Sequence, residues 1–183
     1  MTKIKREKLE YNIVTNIFLP LLRLKLVEPG ASLNQNHRPT NTWVRSSMPV
    51  RDGVANTQVR DFGAKRNIVK ESLKPQYPYV IVENFNENNE VATIKVNTDV
   101  YYKVPCELTI RLVDVGDVTR ISNLAGQISS ILKDNRESDL LAKGLSRLKW
   151  NIVSTPGYSS DDGEMNEKQI LLTFDARVDE WQL

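Results

Sequence analysis

The chain has 183 residues and a mass of 20.9 kDa, enough for one domain with a substantial core. Its 40% hydrophobic and 26% charged residues exclude a wholly disordered protein. One cysteine and one histidine exclude an intrachain disulfide and argue against a zinc centre built from Cys and His. The net charge of +2 conceals a division. Residues 1–78 carry 14 Lys/Arg against 6 Asp/Glu, a net of +8, and residues 79–183 carry 11 against 17, a net of −6.

A secretory signal is not expected at the N-terminus. Glu7 and Glu10 lie in the would-be basic region, and Asn12 and Asn16 interrupt the would-be apolar one. Residues 17–27 are too few to span a bilayer, which takes ~20 apolar residues, and Pro20, Arg23 and Lys25 break them further. The expectation is a cytosolic product with no membrane partner, in which Cys106 is a small buried hydrophobe on a strand.

Residues 3–19 place Leu9, Ile13 and Ile17 at four-residue steps with Val14 and Phe18 beside them, the stripe of an amphipathic helix. Its basic first turn opposes the helix dipole and calls for a partner. Pro20 is expected to end or kink the helix, and Pro29-Gly30 to stop it. Residues 31–76 are rich in Asn, Ser, Thr, Pro and Arg, with little apolar periodicity. So long a connection without regular structure reads as an extended basic arm that orders on a partner. Within it, Val50-Arg51-Asp52 and Val59-Arg60-Asp61 echo one another, too briefly for a repeat.

From Tyr77 onward, residues 79–82 and 91–96 read as strands joined by an Asn-rich turn at 84–90, a hairpin. In 101–114, Cys106, Leu108, Ile110 and Leu112 alternate with Glu107, Thr109 and Arg111, a strand with one buried face. Pro105 there favours an edge position or the strand's beginning. Asp117 is a candidate N-cap for a helix carrying Val118, Ile121, Leu124, Ala125, Ile128, Ile131 and Leu132. A second helix is expected from 138 to 148 on Leu140, Leu141, Leu145 and Leu148. A strand at 150–153, an acidic loop at 155–167 and a closing strand alternating Ile170, Leu172, Phe174, Ala176 and Val178 complete the chain. The fold class is therefore α+β: a mostly antiparallel sheet with helices packed on one face, plus a long extended arm. The organisation is an N-terminal helix of the core (1–30), the arm (31–76) and an α+β core domain (77–183).

Constellations for catalysis are thin. His37 lies in the arm, apart from any nucleophile. Asp99 and Glu107 have a nuclease-like spacing, but Thr109 stands where a lysine is wanted. Asp161, Asp162, Glu164 and Glu167 lack the alternating ligand spacing of an EF-hand loop and read as a solvated tip. The glycines form no phosphate-cradling motif. No enzyme, metal or cofactor is expected. The basic arm says more: Arg38, Arg45, Arg51, Arg60, Lys65, Arg66, Lys70 and Lys74 accompany Trp43 and Phe62. Docking onto acidic protein surface is the first reading. A solvated linker and phosphate contact with aromatic stacking are the alternatives, the last weakened by the absence of dense Lys/Arg blocks.

Three features carry a resemblance. They are the strand Tyr77-Pro78-Tyr79-Val80-Ile81-Val82 after an N-terminal helix, the alternating run from Cys106 to Asp114, and the helix from Ile121 to Leu132. A Leu-rich second helix and the closing strand from Leu171 to Val178 follow them. In this order of elements the chain resembles the tail-terminator or tail-completion (neck) proteins of tailed viruses. The resemblance covers residues 77–183 and, more loosely, the helix at 3–19; the arm departs from compact members. It implies a structural virion protein, made in the host cytoplasm, that forms a ring, usually of six subunits. Such a ring caps the tail tube and joins it to the head connector, with DNA passing through the lumen. On that expectation Trp43, Arg45, Arg51, Arg60, Lys65, Arg66, Glu107, Arg111, Asp175 and Arg177 are the candidate subunit or partner contacts. The reading from another class is a nucleic-acid-binding accessory protein that uses the basic arm.

Overall fold

The computed structural model describes residues 2–28, 39–48, 77–88, 90–96, 99–116, 118–160 and 163–179. Helix α1 (6–25) opens with a 3₁₀ turn, Arg6–Lys8, and continues through Leu9–Ile13 and a π-helical turn, Val14–Phe18, to Leu19–Lys25. Pro20 does not end this helix. The π-turn lies directly before it, and the Leu19 N–H donates to the Val14 carbonyl five residues back. The ladder is thereby widened where the proline ring and its missing N–H must be accommodated. One face buries Leu9, Ile13, Ile17, Phe18, Leu21 and Leu22.

A single turn, α2 (Thr40–Trp43), leads into the two-residue strand β1 (Val44–Arg45). The remaining strands are β2 (Tyr79–Glu87), β3 (Ala92–Val96), β4 (Asp99–Val115), β5 (Leu145–Ser160) and β6 (Gly163–Val178). They form one six-stranded sheet in the order β1-β2-β4-β6-β5, with β3 also on β4. Only the β1–β2 pair is parallel. The α+β class with a mostly antiparallel sheet is therefore the observed one.

Side chains alternate across a strand, so the register assigns two faces. Cys106 opposes Phe174, Leu108 opposes Leu172 and Ile110 opposes Ile170, all buried. Phe18 of α1 packs its ring 5.7 Å from that of Phe174. Helix α3 (Val118–Asn135) meets the same face, where Lys168 of β6 donates to the Ser122 hydroxyl at 3.0 Å. Both long helices therefore cover one face. Five large apolar side chains of α3 are buried, Ile121, Leu124, Ile128, Ile131 and Leu132. Each contributes roughly 1.5–3 kcal/mol before entropy is subtracted. Val118, expected in that stripe, is 56% exposed, and Asp117 lies outside the described residues.

Several expectations are corrected. The strands at 79–82 and 91–96 do not pair with each other. β2 and β3 both run antiparallel to β4, one after the other, so they form a single interrupted arm of a hairpin with it. Asn84, at φ 55°, belongs to a bulge between Glu83 and Asn86 where a turn was expected. Pro105 sits inside β4. Its carbonyl accepts from the Asn88 N–H at 2.8 Å, so its ring nitrogen faces the gap where β2 gives way to β3 and costs the ladder no bond. The second helix is only a π-turn, Arg136–Leu140, closed by Gly144 at φ 91°. Leu145 and Leu148 belong to β5. The 155–167 segment is largely β5 and β6, paired out to Ser160 and Gly163.

Candidate interaction surfaces

With the helices on one face, the other carries the polar members of the strands over much of its area, while Tyr79, Ile81, Val113 and Met165 make a buried apolar patch at one end of it. Glu107, Arg111, Asp175 and Arg177, expected as contact residues, all lie on this open face by register. Most of their charge is already matched within the chain. Arg111 Nε donates to Glu83 Oε1 at 2.5 Å, Nη2 reaches Glu83 Oε2 at 3.3 Å, and Nη1 lies 3.7 Å from Glu167 Oε2. Burial pulls the Arg111 guanidinium down, but the Glu83 bond and charge, with Glu167 behind them, hold it above its ordinary value. Glu167 is only 8% exposed. Its other oxygen accepts from Gln169 at 2.9 Å. The acidic residue expected at a solvated tip is thus built into the sheet, and Asp161 and Asp162 lie outside the described residues.

A second group lies at the far end of the face. Lys103 Nζ stands 2.8 Å from Asp175 Oδ2, with Arg147 Nε at 3.6 Å. Arg177 donates to Asp99 Oδ2 at 2.6 Å and lies 3.7 Å over the Tyr101 ring. Lys3 pairs with the other oxygen of Asp99. The Lys3 hydrogen bond, with the charges of Lys3 and Arg177, outweighs desolvation and holds the Asp99 carboxyl below its usual value. Between the two groups lie Glu107, Leu171, Thr173, Lys149, Asn151 and Val153, all exposed. The open face thus holds two ion clusters around an exposed, mixed polar and apolar band: one cation with two carboxylates at one end, and four cations with two carboxylates at the other.

Trp43 requires a correction. It is fully buried, beside the fully buried Val44, so it is not available to stack on a base or meet a partner. Trp43 and Val44 anchor residues 39–48 to the core: β1 pairs with Val80 and Ile81, and Arg23 of α1 donates to the Val44 carbonyl at 2.9 Å. Residues 39–48, assigned to the extended arm from the sequence, are therefore tied to the folded domain, and the rest of 31–76 lies outside the described residues. Arg45 is half-buried on the open-face side of β1. Arg51, Arg60, Lys65 and Arg66 lie outside the described residues, as do His37, Arg38 and Phe62.

Two polar contacts in the core escaped the sequence. Asp114 is fully buried, accepts the Val115 N–H at 2.8 Å and pairs with Arg120, whose Nε lies 2.5 Å from Oδ2. This pair ties the end of β4 to the first turn of α3. Asn135, 3% exposed, accepts from Lys25 Nζ at 2.8 Å and donates to the Ile131 carbonyl at 2.6 Å, joining the C-terminal ends of α1 and α3. An Asp six residues before an Arg, across a strand-to-helix junction, was the only signal for the first. The second had none.

A cleft of about 480 Å³ lies between the start of α1 and the end of β2, lined by Arg6, Leu9, Tyr11, Phe85 and Glu87 among others. The Arg6–Glu87 ion pair at 3.1 Å crosses it. Among the described residues no three His, Cys, Asp or Glu side chains gather as metal ligands. No helix there is long and apolar enough to cross a membrane. No family model matches the chain, and no curated protein matches it.

Proposed function

We propose that this chain is a structural protein of a tailed-virus neck, of the tail-terminator kind. It forms a ring, of six subunits in the simplest case, that caps the tail tube and meets the head connector while DNA passes through the lumen. The observation that supports the reading is the sheet itself. The long alternating strands β4 and β6 lie side by side, α1 and α3 stack on one face, and the order helix, strands, helix, strands is the one on which the resemblance rests. The Leu-rich second helix is the one carrier that departs, since its leucines divide between a π-turn and β5. Such a protein acts by shape and surface complementarity and needs no reaction.

The test is the assembly state of the purified full chain, by light scattering and negative-stain imaging at moderate salt. Closed rings free of nucleic acid are expected. A monomer that binds DNA with a steep salt dependence overturns the reading in favour of a nucleic-acid accessory protein. The burial of Trp43 already removes one of the two aromatics on which that alternative drew.

A further inference from the structure

β5 is a 16-residue edge strand whose inner side pairs with β6. Its outer side has no strand partner among the described residues. Soluble proteins blunt such edges with charge, proline or bulges, because unpaired N–H and C=O groups recruit other strands. β5 does so only at its two ends. One bulge falls between Ser146 and Lys149, and a second, containing Pro156, between Thr155 and Tyr158. The stretch between them, 149–155, carries no charge after Lys149 and holds the β-branched Ile152, Val153 and Thr155. Its apolar side chains are open on both faces of the sheet: Ile152 on the helix side is 41% exposed and Val153 on the open side is 39% exposed.

We infer that residues 149–155 pair, antiparallel, with the same stretch of a second copy of this chain about a two-fold axis at Ile152. Residues opposite one another in an antiparallel pair share a face, so a two-fold axis normal to the sheet keeps both helix layers on one side. Ile152 is the midpoint between the two bulges, and it is the centre that keeps both out of the paired stretch. That register sets Trp150 against Ser154, Asn151 against Val153 and Lys149 against Thr155. The bulky Trp150 and Lys149 each meet a smaller residue, Ile152 meets its own copy, and no charge faces its like. The two Lys149 side chains stand about 20 Å apart, six residues at ~3.3 Å each. This self-complementarity identifies a second copy, rather than an unrelated extended peptide, as the occupant. The contact differs in kind from the ring reading, because a two-fold contact joins like surfaces whereas a head-to-tail ring joins unlike ones.

Cysteine cross-linking of the full chain tests it. The native background is silent: Cys106 is 2% exposed, and burial pushes its thiol up to about 12. In the inferred register two cysteines at position 152 have Cα atoms about 4.5–5.5 Å apart, inside the range a disulfide accepts. Ile152→Cys should form a covalent dimer under mild oxidation. Leu171→Cys, equally exposed at 41% but on β6 within the sheet, should form it at least about tenfold more slowly. Equal rates, or no dimer from Ile152→Cys, overturn the inference. Val153→Lys should halve the assembly mass in sedimentation equilibrium with the far-UV circular dichroism unchanged. An unchanged mass with that spectrum overturns it as well. Rings that persist without the 152 cross-link remove this contact alone, whereas a 152 dimer without rings removes the neck reading alone.

Discussion

Trp43 separates the two accounts of the 31–76 region most sharply. If it were a partner-facing aromatic on an extended arm, Trp43→Ala would spare folding and weaken assembly. In the structure its indole has no solvent exposure and anchors α2 and β1 against the core. Truncating a core Trp to Ala costs about 3–5 kcal/mol in lost transfer energy and residual cavity, a large part of the ~5–15 kcal/mol typical of a whole domain. With a urea slope of roughly 2 kcal/mol per molar, the unfolding midpoint should fall by about 1.5–2.5 M. The indole Nε1–H has no acceptor among the described residues, so Trp43→Phe keeps most of the ring and removes an unpaired donor. Its expected cost is below about 1.5 kcal/mol, a shift of less than ~0.8 M. The assay is equilibrium urea unfolding followed by far-UV circular dichroism at fixed protein concentration. An Ala midpoint within about 0.3 M of wild type, together with altered self-association, would refute the placement of Trp43 in the core.

Other positions give equally direct outcomes. Arg111→Met strands two carboxylates, one of them the nearly buried Glu167, and should cost about 2–4 kcal/mol by thermal or urea unfolding. Glu83→Gln leaves Arg111 its Glu167 partner and should cost only about 1 kcal/mol; equal losses would show that the two carboxylates do not share one guanidinium. At Gly144, φ is +91° and an added Cβ would lie 2.6 Å from the Thr2 carbonyl oxygen, so Gly144→Ala should destabilise by about 2 kcal/mol or more. Gly126, within α3 with open space around it, gives the opposite sign: Gly126→Ala should stabilise by about 0.5–1 kcal/mol. Asp99 sets a pH dependence. Its folded carboxyl titrates below the unfolded value of about 3.9, so the unfolded chain binds more protons in that window and stability rises with pH there. The Asp99 contribution is fully present above that value and lost as pH falls through the lowered one. Asp99→Asn should flatten the acid limb of a stability–pH profile below about pH 4 and leave its slope at neutral pH unchanged.

The legible parts of the fold were those where one face is buried and the other wet. α3, β4 from Val104 to Leu112 and β6 from Ile170 to Val178 each bury one face, so their apolar residues keep a period of two or of 3.6 over many positions. β5 was misread because a bulge alters its period. The extra residue between Ser146 and Lys149, with Arg147 at φ 55°, leaves Leu145 and Leu148 both buried three residues apart. With Leu140 and Leu141 before them, that spacing imitates a helix. Its outer half was lost for a different reason. From Asn151 to Ser159 nearly every side chain is exposed, so no burial contrast marks the strand; pairing with β6 alone fixes it. The candidate surface was half legible. Alternation placed Glu107, Arg111, Asp175 and Arg177 on one face, but Glu83 and Glu167, which neutralise Arg111, come from other strands that only the register brings beside it.

The charge division in the sequence now has a narrower meaning for assembly. Part of it is settled inside one subunit, since Lys3 pairs with Asp99 and Arg6 with Glu87, joining the basic N-terminal region to the acidic half. These contacts also supply the partner that the basic start of α1 called for. That leaves a net of +6 in residues 1–78, and half of it is the net +3 of residues 49–76, six Lys/Arg against three Asp/Glu. On the other side, the exposed acids without an ion pair among the described residues include Asp134 and Asp139, at the end of α3 and in the π-turn after it. If the arm of one subunit holds its neighbour in a ring, that end of α3 is a better complement than the sheet face, where Glu83, Glu167, Asp99 and Asp175 are already ion-paired. Reversing Arg51, Arg60 and Arg66 to Glu should then weaken rings at low salt, and Asp134→Lys with Asp139→Lys in the same chain should restore them, as read by sedimentation velocity. The effect should fade as salt rises and the Debye length shrinks below about 8 Å. Rings indifferent to the first set would remove the arm from the contact. Rings lost to the first set but not restored by the second would keep the arm and move its docking site elsewhere.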